Sequence, residues 1–150
     1  MNTATEIVEK VRHALATRNY KEFANCFHTD GIYERPYALT GTIDRYEGAD
    51  KIYSYIETGM AAANKLFDII GVEAQIHPCM AEDLVFAEFF LSGKRISDSG
   101  IFKIASSAAL IYCSEGKITI YRDFPNSAGI SQAAGTLTQY AASLTKSLAV

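Results

Sequence analysis

The chain has no tryptophan and only three prolines and three cysteines among its 150 residues. Cys26, Cys79 and Cys113 are odd in number and widely spaced, with no C-x-x-C pair. That pattern excludes a disulfide framework and reads as reduced thiols of a cytosolic protein, packed as small core side chains. No apolar run approaches the roughly 20 residues needed to span a bilayer. The N-terminal segment carries Glu6 and Glu9 and lacks an apolar signal core, so neither a membrane partner nor secretion is expected. Clusters of Lys and Arg are missing too, and the net charge is −3, which argues against a nucleic-acid partner. No P-loop or G-x-G-x-x-G occurs, and Gly129-Ile130-Ser131-Gln132-Ala133 only approaches a nucleophile elbow, outside the strand–turn–helix setting that motif needs. His13, His28 and His77 lie far apart, with no H-x-H or H-E-x-x-H spacing. Neither a metal site nor a cofactor is expected.

What is present is an ordinary soluble composition, 49% hydrophobic and 21% charged, in a chain long enough for one sizeable core. Thr3 and Glu6 form a capping-box signature ahead of Ile7, Val8, Val11 and Leu15 at helical spacing. Asn19 and Glu22 repeat it before a short second helix with a Phe23, Cys26, Phe27 stripe, broken at Asp30-Gly31. Ile32 to Arg35 reads as a brief strand closed by Pro36, with Tyr33 and Arg35 on one face. A third helix is expected from about Gly48 to Leu66, its apolar stripe made by Ile52, Tyr53, Ile56, Met60 and Ala63. The pattern then turns to β, with Phe67 to His77, Leu84 to Leu91, Gly100 to Cys113 and a last strand from Gly116 to Phe124. Short connections make these strands antiparallel hairpins. Residues 1–126 are thus expected to be a single α+β domain, helices first and a meander last, whose curved sheet encloses a pocket against the helices. The 127–150 tail is Ala-, Ser- and Thr-rich, with Leu137, Tyr140, Ala141, Leu144 and Leu148 at helical spacing.

The chemistry-bearing residues are the charged groups in strands that are otherwise apolar. Asp123 ends the last strand, sharing a face with Thr119 and Tyr121, while Ile118, Ile120, Arg122 and Phe124 take the other face. Glu88 stands in Leu84-Val85-Phe86-Ala87-Glu88-Phe89-Phe90-Leu91, and Arg35 ends the first strand. A buried carboxylate is expensive unless something pairs with it or uses it. Two carboxylates and a guanidinium converging in one cavity suit general acid–base work, the guanidinium lowering one pKa and burial raising the other. If Glu88 lies instead on the convex face, it forms an ordinary ion pair; alternation alone does not decide between the two.

The stretch Gly116-Lys117-Ile118-Thr119-x-Tyr121-Arg122-Asp123-Phe124 resembles the closing strand G-K-I-T-x-W-R-D-Y of the limonene epoxide hydrolases. With the arrangement and length of the chain up to about Asn126, it makes the protein similar to the nuclear-transport-factor-two-like superfamily, in particular the SnoaL-like polyketide cyclase and epoxide hydrolase branches. The resemblance implies a cystatin-like α+β cone, a curved antiparallel or mixed sheet wrapped around three N-terminal helices. In the epoxide hydrolases the Asp of W-R-D acts on the nucleophilic water, a role the resemblance carries onto Asp123. Tyr33 matches a first-strand tyrosine that holds this water, whereas Arg35 stands where an asparagine is expected. The family's R-x-D pair falls on Phe86-Ala87-Glu88, with the acid conservatively replaced and the arginine missing. Steroid isomerases share the fold, but their base falls on Arg35, their oxyanion tyrosine on Val11 and their protonated acid near Ala108, so their chemistry is not expected.

The expectation is therefore a cytoplasmic, homodimeric pocket protein holding a small hydrophobic molecule. Its chemistry would be acid–base catalysis of cyclase, isomerase or hydrolase type, with Asp123 and Glu88 catalytic and Arg35, Tyr33, Tyr53 and Tyr121 binding the substrate. The alternative is a non-catalytic ligand-binding or dimerisation module of the same fold.

Overall fold

A computed structural model describes residues 3–148 of the chain, with side chains to residue 146. Residues 149 and 150 of the tail and the side chain of Leu148 lie outside those described. Helix α1 (Ala4–Ala16) starts at the capping box, where the Glu6 amide donates to Thr3 Oγ1 at 3.2 Å and the Thr3 amide to Glu6 Oε2 at 2.7 Å. It buries Ile7, Val8, Val11 and Ala14. Helix α2 (Tyr20–Asn25) is capped by Asn19 and buries Phe23. Strand β1 (Phe27–Glu34), a three-residue β2 (Arg45–Glu47) and helix α3 (Ala49–Ala63) follow. Four long strands come next, β3 (Phe67–Pro78), β4 (Leu84–Arg95), β5 (Ile101–Ser114) and β6 (Lys117–Pro125). The chain ends in helices α4 (Ser127–Ala134) and α5 (Leu137–Leu148).

The six strands make one curved, unclosed sheet in the order β2-β1-β6-β5-β4-β3, antiparallel throughout except where β1 runs parallel to β6. The β5–β6 hairpin turns on Glu115 and Gly116, both at positive φ (49° and 75°), a two-residue turn whose twist matches that of the strands. Strand β1 begins earlier than the sequence pattern suggests. Phe27 pairs with Ile118 in the β6 ladder and the Ile118 amide donates to the Cys26 carbonyl at 2.8 Å, which unwinds the expected helical stripe at Cys26–Phe27. Gly31 interrupts the strand rather than preceding it: a Cβ there would stand 2.9 Å from the Ile118 carbonyl, so only glycine lets the two backbones approach.

Extra residues in three ladders bend the sheet, near Ile70 in β3, Ser106 in β5 and Thr119 in β6. The last corrects the expected alternation. Cys113 pairs with Ile118 and Tyr112 with Ile120, leaving Thr119 as the surplus residue, its hydroxyl donating to the Tyr112 carbonyl at 3.2 Å. Ile118 therefore turns to the same concave side as Tyr121 and Asp123, where all three are buried. Val85, Ala87, Phe89 and Leu91 of β4 and Ala109, Ile111 and Cys113 of β5 complete this face. Helices α1 and α3 cover it, α1 against β3 and β4 and α3 against β1 and β2. The opposite, convex face carries Phe86, Glu88, Phe90, Leu110, Arg122 and Phe124, in register with one another and half-buried.

Burial separates two isoleucines on one strand. Ile111 is fully buried (0% exposed) and Ile101 is 65% exposed. Urea denaturation is expected to show Ile111→Ala costing about 3 kcal/mol through transfer and cavity losses, and Ile101→Ala less than about 0.5 kcal/mol.

Candidate active site

Four elements bring the site together on the concave face. Asp123 lies near the end of β6 and is only 9% exposed. Tyr33, opposite Tyr121 in the β1–β6 ladder, donates its hydroxyl proton to Asp123 Oδ2. The Tyr33 ring stacks on Tyr121 with centroids 5.3 Å apart, and meets Tyr55 of α3 at 5.4 Å. Tyr55 in turn stacks on Tyr46 of β2 at 4.1 Å. These aromatic contacts hold the phenol of Tyr33 in place without using its oxygen, which is left to the carboxyl.

Burial pushes the Asp123 carboxyl up to about 6, against the opposing pull of the Tyr33 hydrogen bond, the Arg35 charge and the Phe124 amide. Burial, then the neighbouring Asp123 charge, raises Tyr33 well above the ordinary phenol range, so it stays protonated and remains a donor. Tyr121 is raised for the same two reasons. A cavity of about 360 Å³ opens beside Asp123, walled mainly by apolar side chains such as Met60, Val72, Phe89, Leu91 and Ile130, with Tyr55, Asn64, Ser106, Ser107 and Ser127 as its neutral polar groups. A carboxyl that changes charge near neutrality, with one oxygen held and the cavity alongside, can take a proton from a bound molecule and give it back.

The sequence-derived set divides here. Asp123, Tyr33 and Tyr121 come together, and Arg35 lies next to them, its guanidinium 5.4 Å from the centre of the Tyr55 ring. No ion pair joins Arg35 to Asp123. Glu88 does not join them. It pairs in register with Ala108, which pairs with Phe124, so it shares the convex face with Phe124 while Asp123 pairs with Ala109 on the concave one. Its carboxylate bonds His77 Nε2 at 3.0 Å on the neighbouring strand, the ordinary outer-face pair that alternation left open. Tyr53 is also displaced. It interacts with Glu57 one turn along α3, away from the cavity. The residue of α3 that lines the cavity is Tyr55, together with Gly59, Met60 and Ala63. Its position was available in the spacing: Tyr55 is three residues from Ile52 and four from Gly59, whereas Tyr53, one residue from Ile52, is turned about 100° away. Among the described residues no three His, Cys, Asp or Glu side chains converge as a metal site would require.

Comparison with known proteins agrees with this architecture. No family model matches the chain. An uncharacterized PhzA/B-like protein of Pseudomonas aeruginosa is 27% identical over 127 residues, covering 84% of this chain and 85% of that protein. Among solved structures, a provisionally named isomerase of Bacillus subtilis superposes with a TM-score of 0.72 at 24% identity, over 91% of this chain and 97% of the other. A provisionally named polyketide cyclase of Pseudomonas putida superposes with a TM-score of 0.59 at 19% identity, over 84% and 93%. Other matches are described as SnoaL-like, or as having ketosteroid-isomerase-like, cystatin-like or NTF2-like folds. The protein has the nuclear-transport-factor-two-like α+β cone fold, with SnoaL-like polyketide cyclases and ketosteroid-isomerase-like proteins as its structural neighbours.

Proposed function

We propose that the protein is an acid–base catalyst of the cyclase or isomerase type, acting on a small, mostly apolar molecule held in the cavity beside Asp123. The carrying observation is the buried Asp123 carboxyl, raised to about 6, beside that apolar cavity with its Oδ2 occupied by Tyr33. The oxygen not held by Tyr33 accepts a proton from a carbon next to a carbonyl, and the electron pair moves to the carbonyl oxygen. The enolate is then either reprotonated at another carbon, or attacks a second carbonyl carbon of the same molecule to close a ring, that carbonyl's π pair going to its oxygen, which takes the proton. The same carboxyl then returns the proton, so no oxidant or co-reactant is consumed. Tyr33 keeps its own proton and, through the hydrogen bond, favours the ionised form of Asp123 against the burial that disfavours it. With Glu88 on the other face, the chemistry rests on one carboxylate, which favours proton shuttling over the two-acid addition of water to an epoxide.

Hydrogen–deuterium exchange of cyclic ketones and enones in D₂O, followed by proton NMR, tests this. The rate is expected to rise with pH through about 6 and to fall about 10²- to 10⁴-fold in Asp123→Asn. Ketones that bind yet show no exchange above background would leave a non-catalytic ligand-binding module as the better reading.

The raised carboxyl also has a stability consequence. Between the unfolded value near 3.8 and the folded value of about 6, the folded state binds a proton that the unfolded state has lost. Stability attributable to Asp123 is therefore greatest below that window, falls as pH rises through it, and stays low above it. The difference of about two pH units corresponds to about 3 kcal/mol. Asp123→Asn is expected to be more stable than the wild type at pH 8 and to lose that advantage towards pH 4, as read from thermal melts across pH.

We propose further that the protein works in the cytosol as a homodimer, with the second copy covering the convex face. That face mixes Phe86, Phe90 and Leu110 with charges of both signs, Glu34 and Arg122 being paired at 2.8 Å, so it can complement itself across a two-fold axis. Light scattering at micromolar concentration is expected to give about twice the 16.4 kDa chain mass, and Leu110→Glu to return it to a single copy.

A further inference from the structure

Asp123 borders a second space besides the apolar cavity. An outer cleft of about 560 Å³ lies between the segment after β1 and the C-terminal helices, lined by Arg35, Tyr37, Thr42, Asn126, Ser127 and Tyr140 among others. Asp123, Pro125 and Ser127 line both spaces, so the two meet at the carboxyl. They differ in character. The inner cavity has no ionic group apart from Asp123, whereas the outer cleft has one fixed cation, Arg35.

Arg35 is poorly matched by its own protein. Nη2 donates to the Ile43 carbonyl at 2.8 Å, Nε is sealed from solvent with no acceptor, and Nη1 has no acceptor among the described residues. Arg45, Arg95, Arg122 and Arg12 all pair with carboxylates, whereas Arg35 and Arg18 pair with none, and of these two only Arg35 lines a cleft that Asp123 also lines. Its guanidinium is held against the Tyr55 ring instead, which fixes its position without neutralising it. A positioned guanidinium at the rim of a cleft, joined to no carboxylate by an ion pair though within reach of the Asp123 charge, can receive a further carboxylate, because charge-assisted bonds to it are about twice as strong as neutral ones. The first turn of α4, at Ser127 and Ala128, adds helix-terminal positive potential to the same cleft.

We propose that Arg35 anchors a carboxylate of the substrate, so that the ligand class is an apolar carboxylic acid lying across Asp123, its hydrocarbon body in the inner cavity and its carboxylate in the outer cleft. This rests on the reading of Asp123 as the proton-transfer group and specifies what that group acts on. The anchor sets which carbon faces the free oxygen of Asp123, since the carboxylate and the ring system are held on opposite sides of it.

Titration calorimetry with three probes of one shape at pH 7.5 provides the test: 2-naphthoate, 2-naphthamide and 2-naphthylmethylamine. The carboxylate is expected to bind at least tenfold more tightly than the amide. Arg35→Gln should erase that preference while leaving the amide affinity within twofold, and Arg35→Lys should restore part of it. Should Arg35→Gln fail to fold by thermal melt, nitrogen-15 NMR of the wild-type Arg35 guanidinium gives the same information, its signal moving with naphthoate and not with naphthamide. Equal affinity for acid and amide, tightest binding of the amine, equal weakening of acid and amide by Arg35→Gln, or no binding of any probe would each overturn the proposal. Exchange of neutral ketones does not use Arg35, so a failed anchor leaves the Asp123 assay intact. An inactive Asp123 would leave naphthoate binding measurable.

Discussion

The hydrogen bond from Tyr33 to Asp123 is the constraint on which the rest of the arrangement depends. A carboxyl that is almost wholly buried must be neutralised, paired or hydrogen-bonded, and here it receives the Tyr33 phenolic donor, with the Phe124 amide as a lesser one, while the nearest guanidinium stays outside ion-pair reach. A full ion pair would hold the group ionised at every physiological pH, and complete isolation would keep it protonated. Neutral donors with a nearby but unpaired cation leave it between those limits. The aromatic column of Tyr121, Tyr33, Tyr55 and Tyr46 secures that balance by fixing the donor ring from both sides.

The fold and the main carboxyl were legible in the sequence for local reasons. Thr3 with Glu6, Asn19 with Glu22, and the Ser114–Gly116 turn are short-range signals that the structure uses directly. Asp123 could be chosen because it is a carboxylate in a strand that is otherwise largely apolar, and Tyr33 because it matches the first-strand tyrosine of the resembling epoxide hydrolases. What was not legible depends on how strands lie across the sheet. Alternation assigns Glu88 and Ala87 to opposite faces but does not say which face is concave, and that is set by pairing with β5 and β6. The surplus Thr119 shifts the phase of β6, so that Ile118 joins a face that strict alternation denies it. Tyr53 was chosen because it stands at helical spacing from Ile56 and Met60, but the cavity opens on the side of the helix where Tyr55, Gly59 and Ala63 lie.

The site also shows a division of labour within the sheet. The β4 and β5 strands contribute small and apolar residues to the concave face, Ala87, Ala109, Phe89 and Ile111, which supply volume and walls. The polar chemistry is concentrated on β6, on β1 and on the segments that follow them, where the ladder ends and side chains meet the opening of the cone. Substitutions on β4 and β5 would therefore reshape what fits, while those near Tyr33, Arg35 and Asp123 would change what happens to it.

The parallel pairing of β1 with β6 gives the site a particular place in time. Tyr33 and Asp123 are separated by 90 residues, and their strands are adjacent only once the intervening helix and four strands have been laid down. Such non-local closure carries a large loop entropy and is among the last contacts expected to form. Until then Asp123 is a solvated residue with an ordinary acidity. The unusual acid is created in the closing event itself, so a nascent or partly opened chain bears an unremarkable carboxylate and has no site to misuse.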